Sequence, residues 1–403
     1  NKSAGTLTLG GSQAFPNITA ALTLTSGTLA DGGKTIVVSG TGVLSNSATH
    51  SGAGVIDYQS TAATIQGTGG TFGNFSLTTS ATIGTAGTQT VTGTLRLLGA
   101  NSILNIGANA LSALGPIYSD GATGVAFSAS KMIMTNGVHN AGGLTRQGAA
   151  GALLFPIGSA SQYTPNSISV TATTHGTITV RPVNSEHPNV GAVNQSLKYY
   201  WRVTSSGYAG VGATITHNPY SFGSATLLAG TLTTYRSARF NPATFTWAQN
   251  GTTYDATATT AIPSFTNVNL GVGAVIDGEY TTGNATAFAA VQPYYSKGNG
   301  AWNAATGVWT ASATHVGADL AGPPCSTCPV IIGDGAAINH TITLDANGRS
   351  CGTVAINSGS TLDASYYTSL NFGTNTGGAV TGRGTLRIAS ANFPAGDFTN
   401  FIG

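Results

Sequence analysis

Short runs in which apolar residues alternate with Thr, Ser or Gly fill the first third of the chain. They include Thr6-Leu7-Thr8-Leu9, Leu22-Thr23-Leu24-Thr25, Thr35-Ile36-Val37-Val38 and Thr90-Val91-Thr92-Gly93-Thr94-Leu95-Arg96-Leu97. An apolar period of two sends successive side chains to opposite faces of a strand and buries one of them. The runs themselves recur: strand centres near Ile18, Val37, Ile56, Phe75 and Leu95 stand 19, 19, 19 and 20 residues apart. Such a period, with glycine between short strands, marks a solenoid whose coils bury their apolar face only by stacking on one another. Residues 1–144 are therefore expected to form a β-solenoid segment. The competing expectation is a β-sandwich with strands about 8–12 residues apart.

The regular spacing is lost near Gly142-Gly143-Leu144-Thr145-Arg146. Strand-like runs follow at Ser167–Val170, Gly176–Val180, Tyr199–Val203, Ala213–Thr216, Leu232–Tyr235 and Phe245–Trp247. Short strands joined by short loops fit an immunoglobulin-like β-sandwich over 145–283, with Trp201 as the large residue between its sheets. Over 284–403 the first pattern returns at Val330-Ile331-Ile332, His340–Leu344, Val354-Ala355-Ile356, Leu370-Asn371-Phe372 and Thr385–Ile388. A second β-solenoid segment is expected there, with Trp302 and Trp309 covering its first coil.

Composition strengthens this all-β reading. Gly supplies 57 of 403 residues and only two glutamates occur, Glu186 and Glu279, so helix formers give way to residues of strands and turns. The chain is 6% charged, against about a quarter in an ordinary soluble domain. Ladders of Thr, Ser and Asn tolerate stacking where like charges would repel. A net charge of +2 offers no basic patch, so nucleic acid is not an expected partner, and no apolar run is long enough to predict membrane insertion. With so few ionisable groups, folding is expected to depend little on salt, or on pH between about 4 and 9. Opening on Asn1, the chain reads as a processed protein or a piece of a longer one.

Cys325, Cys328 and Cys351 are the disulfide candidates, with a bridge from Cys325 or Cys328 to Cys351 expected in an exported chain. Zinc is disfavoured because only His315 and His340 lie near enough to complete four ligands. No cofactor is called for.

Three groups of motifs resemble the repeat regions of very large surface adhesins of the Bacteroidetes group. In the last stretch they are Val354–Leu362, Gly382–Ile388 and Asn392–Phe398, and in the middle Leu154-Phe155-Pro156-Ile157-Gly158, Tyr163-Thr164-Pro165 and Tyr200–Gly207. The pair Trp302 and Trp309 is the third. The resemblance implies a stalk segment in a fibre exported by the type IX system, displayed at the cell surface and serving attachment or gliding. Its implied partners are other modules of the same long chain, surface polysaccharide, or lateral copies of itself.

Catalytic patterns are weak. Apart from Asp277-Gly278-Glu279, read as a solvated turn, no two acids fall within a few positions, and no Gly-x-Ser-x-Gly elbow occurs. Stacking could still bring Asp345 beside Asp363, and Asp334 with Asp319 or Asp345 is the best calcium candidate. The seven histidines read as surface or turn residues. The best binding alternative is a carbohydrate-binding module with a stacking platform of Tyr294, Tyr295, Trp302 and Trp309, joined by Tyr366 and Tyr367. The chain is thus expected to be no enzyme, with a β-helix polysaccharide-degrading enzyme as the distant alternative.

Overall fold

The structure is a computed structural model of the chain. It describes all residues but 1–4, 12–16, 121–125, 160–161, 213–214, 219–228, 232–233, 243–245, 250–275, 290, 321, 365–366, 368–369, 373–378, 389–393, 395 and 403. The expected strand residues Ala213, Thr214, Leu232, Thr233 and Phe245, Tyr366 of the stacking platform, and Asn392, Phe393 and Ala395 of the adhesin-like motif lie outside the described residues. Among the described residues the fold is all-β, with one short 3-10 turn at Ala285–Phe288.

The first stretch winds as a parallel β-solenoid with three faces. Its first face stacks Thr6–Thr8, Thr28–Ala30, Thr49–Ser51, Gly70–Phe72, Gln89–Val91, Ala110–Ala113 and Gly143–Gln147. The second stacks Thr35–Val38, Val55–Tyr58, Phe75–Leu77, Leu95–Leu97 and Ile117–Tyr118. The third begins with Ala21–Leu24 on Val43–Asn46, crosses by the Ser45 to Gln66 bridge, and continues from Thr64–Ile65 to Ile157–Ser159. Register follows the sequence period: Ile36, Ile56, Phe75, Leu95 and Ile117 are successive Cα partners. Each period holds three short strands rather than one, because the chain must turn twice more to come back above itself.

Polar residues hold the corners. Asp31 and His50 are fully buried neighbours in adjacent coils, with His50 Nε2 3.0 Å from Asp31 Oδ2. The Gly73 N–H donates to His50 Nδ1 (3.2 Å), so the imidazole proton sits on Nε2, the nitrogen nearer the carboxylate. Asp31 Oδ1 accepts from the backbone of Gly33 (2.7 Å) and Gly54 (3.0 Å). One buried carboxylate thereby ties backbone from successive coils.

The expected separation near residue 144 is not what the pairing shows. Gly143–Gln147 is parallel to Ala110–Ala113 on one side and antiparallel to Thr177–Val183 on the other. The sheet then continues through Tyr200–Ser206, Gly278–Gly283, Arg236–Asn241 and Thr246–Gln249. A second antiparallel sheet of Ala152–Phe155, Asn166–Val170 and Ile215–Asn218 accompanies it. One apolar core runs from Leu29 to Tyr280 and includes Trp201, which is fully buried and donates from Nε1 to the Thr164 carbonyl (2.9 Å). The middle of the chain thus extends the solenoid sheet, and these pairings do not show a free-standing immunoglobulin-like sandwich.

The last stretch has its own core and is again parallel. One face stacks Tyr294–Ser296, Val330–Ile332, Val354–Ile356, Ala379–Gly382 and Asp397–Phe401, and another Gly300–Ala301, Thr341–Thr343, Thr361–Ala364 and Thr385–Ile388. A third pairs Arg349–Cys351 with Leu370–Phe372. Trp309–Thr310 lies antiparallel along the outer edge of Tyr294–Ser296.

The Asp31 corner gives a direct test. Gly52 passes it with φ of 122°, and a Cβ there would lie 2.1 Å from Asp31 Oδ1. Gly52→Ala should cost about 2 kcal/mol or more, from backbone strain and displacement of a buried hydrogen-bonded carboxylate. Gly10→Ala, where a Cβ meets nothing within 4 Å, serves as the control and should be nearly silent. Urea unfolding of the two variants measures the difference.

Candidate functional site

The densest group of titratable side chains is buried where the three stretches meet. His139 comes from the loop after Met132–Thr135, His187 and Glu279 from the middle stretch, and Asp397 from the last strand of the second solenoid. Glu279 accepts from both imidazoles, at 2.7 Å from His139 Nε2 to Oε1 and 2.6 Å from His187 Nε2 to Oε2. His139 Nδ1 faces Asp397 Oδ2 at 3.5 Å.

The two histidines hold different charges. The Asn189 N–H donates to His187 Nδ1 (3.2 Å), which leaves the proton on Nε2 and the ring neutral. Burial pulls the His187 pKa down despite Glu279 beside it. His139 faces a carboxylate from each ring nitrogen. Burial alone would lower its pKa, but Glu279 and Asp397 outweigh that and hold it at about 9. Burial would raise Glu279, yet the two histidines drive it well below the usual carboxylate range. The cluster is therefore an imidazolium between two carboxylates, with a neutral imidazole completing the shell.

Arginines sew the same region together, Arg181 buried and Arg146 and Arg202 half-buried. Arg181 donates from Nε to the Val138 carbonyl (2.6 Å) and from Nη2 to the Gly107 carbonyl (3.1 Å) and Asn136 Oδ1. Arg202 donates to the Asn140 carbonyl and Arg146 to those of Leu154 and Gly115. Glu186 gathers the backbone of Asn194, Gln195 and Ser196. A cavity of about 130 Å³ between Asn189, Tyr200, Glu279, Thr353 and Thr381 adjoins the cluster. Both oxygens of Glu279 accept hydrogen bonds within the cluster, which ties His139 to His187.

The residues singled out in the sequence lie elsewhere. Trp302 and Trp309 are fully buried and packed edge to face at 5.7 Å, with Trp309 Nε1 donating to the Trp302 carbonyl (2.9 Å). Tyr294 is buried against Trp309 and the half-buried Tyr295 packs on His315. The two tryptophans and Tyr294 give no face to a sugar, because the first coil needs them to fill its interior. Cys325 pairs with Cys328, and Cys351 is a buried free thiol. This corrects the expected bridge to Cys351, whose side chain points into the core of its coil.

The acids also stay apart. Asp319 binds Lys297 and the Gly307 N–H, Asp334 caps the Ala336–Ile338 backbone, Asp345 pairs with Arg349 and Asp363 with Arg387. Among the described residues no three His, Cys, Asp or Glu are poised to hold a metal. Asp277 tethers Ser205 at the surface while Glu279 is buried, which corrects the solvated-turn reading of that pair. His50, His139, His187 and His315 are buried rather than superficial. The cluster escaped the sequence because its members lie 140 and 92 residues apart along the chain. Its one signal is that a chain with two glutamates buries both.

The clasp revises the expectation of indifference to pH. The raised His139 contributes stability that is whole below about 6.5 and is lost as pH climbs through about 9. The lowered His187 and Glu279 act oppositely, their contributions being lost on acidification below about 6.5 and about 4.5. Stability should therefore peak near pH 6–7, with an alkaline limb of at most about 3 kcal/mol. His139→Gln should remove that limb in pH-resolved urea titrations, and a flat wild-type profile would refute the clasp.

The thiols give a second test. Reducing Cys325–Cys328, three positions apart, should cost about 2 kcal/mol or less. Burial raises the Cys351 pKa. Alkylation of the native reduced chain, read by mass spectrometry, should therefore label the exposed Cys325 first, with the fully buried Cys351 reacting only after unfolding.

No protein-family model, curated protein or solved structure matches this chain.

Proposed function

We propose that the chain is a structural stalk or adhesin segment of an extracellular bacterial surface fibre, and that it performs no catalysis. The observation that carries this reading is the way the stretches are joined. The first solenoid runs into the middle stretch through one sheet and one core, and the middle is clasped to the second solenoid through His139, Glu279 and Asp397. A chain built to transmit tension needs such continuity, whereas tethered domains need only a linker. Low charge fits the same role, since stacked uncharged rungs do not repel. On this reading 1–144, 145–283 and 284–403 are successive units of the fibre, the middle one a sandwich-like module. The resemblance to Bacteroidetes adhesins supplies the setting: type IX export, display at the cell surface, and a part in attachment or gliding.

The test is immunogold labelling of intact producing cells with an antibody to this chain. Gold along surface filaments, removed by brief external proteolysis, is the expected result. Label confined to the cell interior would overturn the reading.

A further inference from the structure

The outer surface of the second face of the first solenoid carries groups that stacking does not use. Its outward rungs are Val37, Asp57, Ser76, Arg96 and Tyr118, successive Cα partners across the coils. Beside them runs a groove of about 420 Å³, lined by Thr35, Asn74, Ser76, Thr94 and Arg96. Gly54 keeps its floor low, since a Cβ there would stand 2.0 Å from the Lys34 carbonyl oxygen.

Backbone is not on offer in this groove. The Ile56 N–H donates to the Asn74 carbonyl and the Phe75 N–H to that of Thr94. The Asn74 amide is also committed, donating to the Gly54 carbonyl (2.8 Å) and accepting from the Thr94 N–H (2.8 Å). The hydroxyls of Thr35, Ser76 and Thr94 and the Arg96 guanidinium have no hydrogen-bond or ion-pair partner among the described residues. Arg96 instead lies over the ring of Tyr118, 5.8 Å from its centroid, and that ring is 45% exposed. Asp57, two rungs from Arg96, is already engaged by Gln59 Nε2 (2.7 Å) and Thr78 Oγ1 (2.6 Å).

We propose that this groove binds an acidic oligosaccharide, with a carboxylate or sulfate on Arg96 and sugar hydroxyls on Thr35 and Thr94, over a floor that includes the buried Ser76. Uncommitted hydroxyls both donate and accept, which suits a polyol. The lone guanidinium provides one charge-assisted anchor, and the exposed Tyr118 ring beside it offers an apolar face to a sugar. Four coils at about 4.8 Å spacing make the site about 14 Å long, the reach of an oligomer. Asp57, two rungs from Arg96 and between it and the Thr35 coil, sets polarity, since an anion is repelled there and drawn to Arg96. Nucleic acid would need several cations, and an extended peptide would need a free sheet edge rather than a paired face. The proposal holds whether or not the chain is part of a fibre.

Calorimetric titration of the whole chain tests it with four probes: an oligogalacturonate, a sulfated dextran oligomer, the carboxyl-reduced neutral oligogalacturonate and a hexaglutamate peptide. Binding of one or both acidic sugars is expected, weakened about tenfold by Arg96→Gln and by added salt, with the neutral oligomer at least as weak. Thr94→Val, which keeps volume but removes a hydroxyl, should weaken the acidic sugar several-fold. Both side chains are partly exposed on the outer surface, so melting temperatures should stay at the wild-type value. Three results would each overturn the proposal: no binding of either acidic sugar at millimolar concentration, binding unchanged by Arg96→Gln, or hexaglutamate binding as well as the sugars.

Discussion

A single coil of this chain cannot bury its own apolar side chains, and most of the structure follows from that constraint. Val, Ile, Leu and Phe reach the interior only when another coil lies in register above them, as Ile56, Phe75 and Leu95 do. Register in turn fixes which residues can occur. Side chains at equivalent positions of successive coils stand about 4.8 Å apart, so repeated like charges on a rung would repel while Thr, Ser and apolar groups pack. The scarcity of charge is thus a consequence of stacking. It also explains why the ion pair of Asp363 with Arg387 joins opposite signs on adjacent rungs.

Where stacking stops, the polar problem changes character. At Gly143–Gln147 a parallel neighbour on one side gives way to an antiparallel neighbour on the other, and backbone carbonyls of the last coils lose regular partners. Arg146, Arg181 and Arg202 supply donors to those carbonyls. Burying a guanidinium is costly, and its pKa is lowered to about 10 for Arg181 by burial first and by Arg202 second. Such groups persist because removing one would leave several buried carbonyls unpaired. The His139 clasp follows a related rule, one buried imidazolium being shared by the carboxylates of Glu279 and Asp397.

How much of this was legible in the sequence depends on how local the cause is. The solenoid was readable because its rungs recur at a near-constant offset, so a periodic pattern states the contact directly. Trp302 and Trp309 were readable as parts of a first coil, but not as fully buried, since a pattern of aromatics does not say which side of a strand faces in. The sheet joining Gly143–Gln147 to Thr177–Val183 was not readable, because antiparallel pairing after a loop leaves no repeat. Nor was the cluster, whose residues are isolated along the chain. Counting ionisable groups suggested indifference to pH, but the count ignores burial, and one desolvated His–Glu–His group outweighs many exposed ones. The cysteine pairing was missed for a related reason: stacking sets Cys351 inward, while Cys325 and Cys328 share a tight turn.

Stacking also separates the residues that make the fold from those free to do something else. On Leu95–Leu97 the two leucines are fully buried in the solenoid, and Arg96 between them is turned outward. The same alternation sets Asp57 between Ile56 and Tyr58. Outward rungs can therefore change chemistry without disturbing the interior, provided neighbouring rungs do not repel. Each outward ladder is in effect a row of adjustable positions at fixed spacing, held rigid by side chains that never touch a ligand. A surface of that kind, repeated coil upon coil, lets the stack present unpaired polar groups at chosen rungs without loosening its interior, as the groove lined by Thr35, Thr94 and Arg96 does.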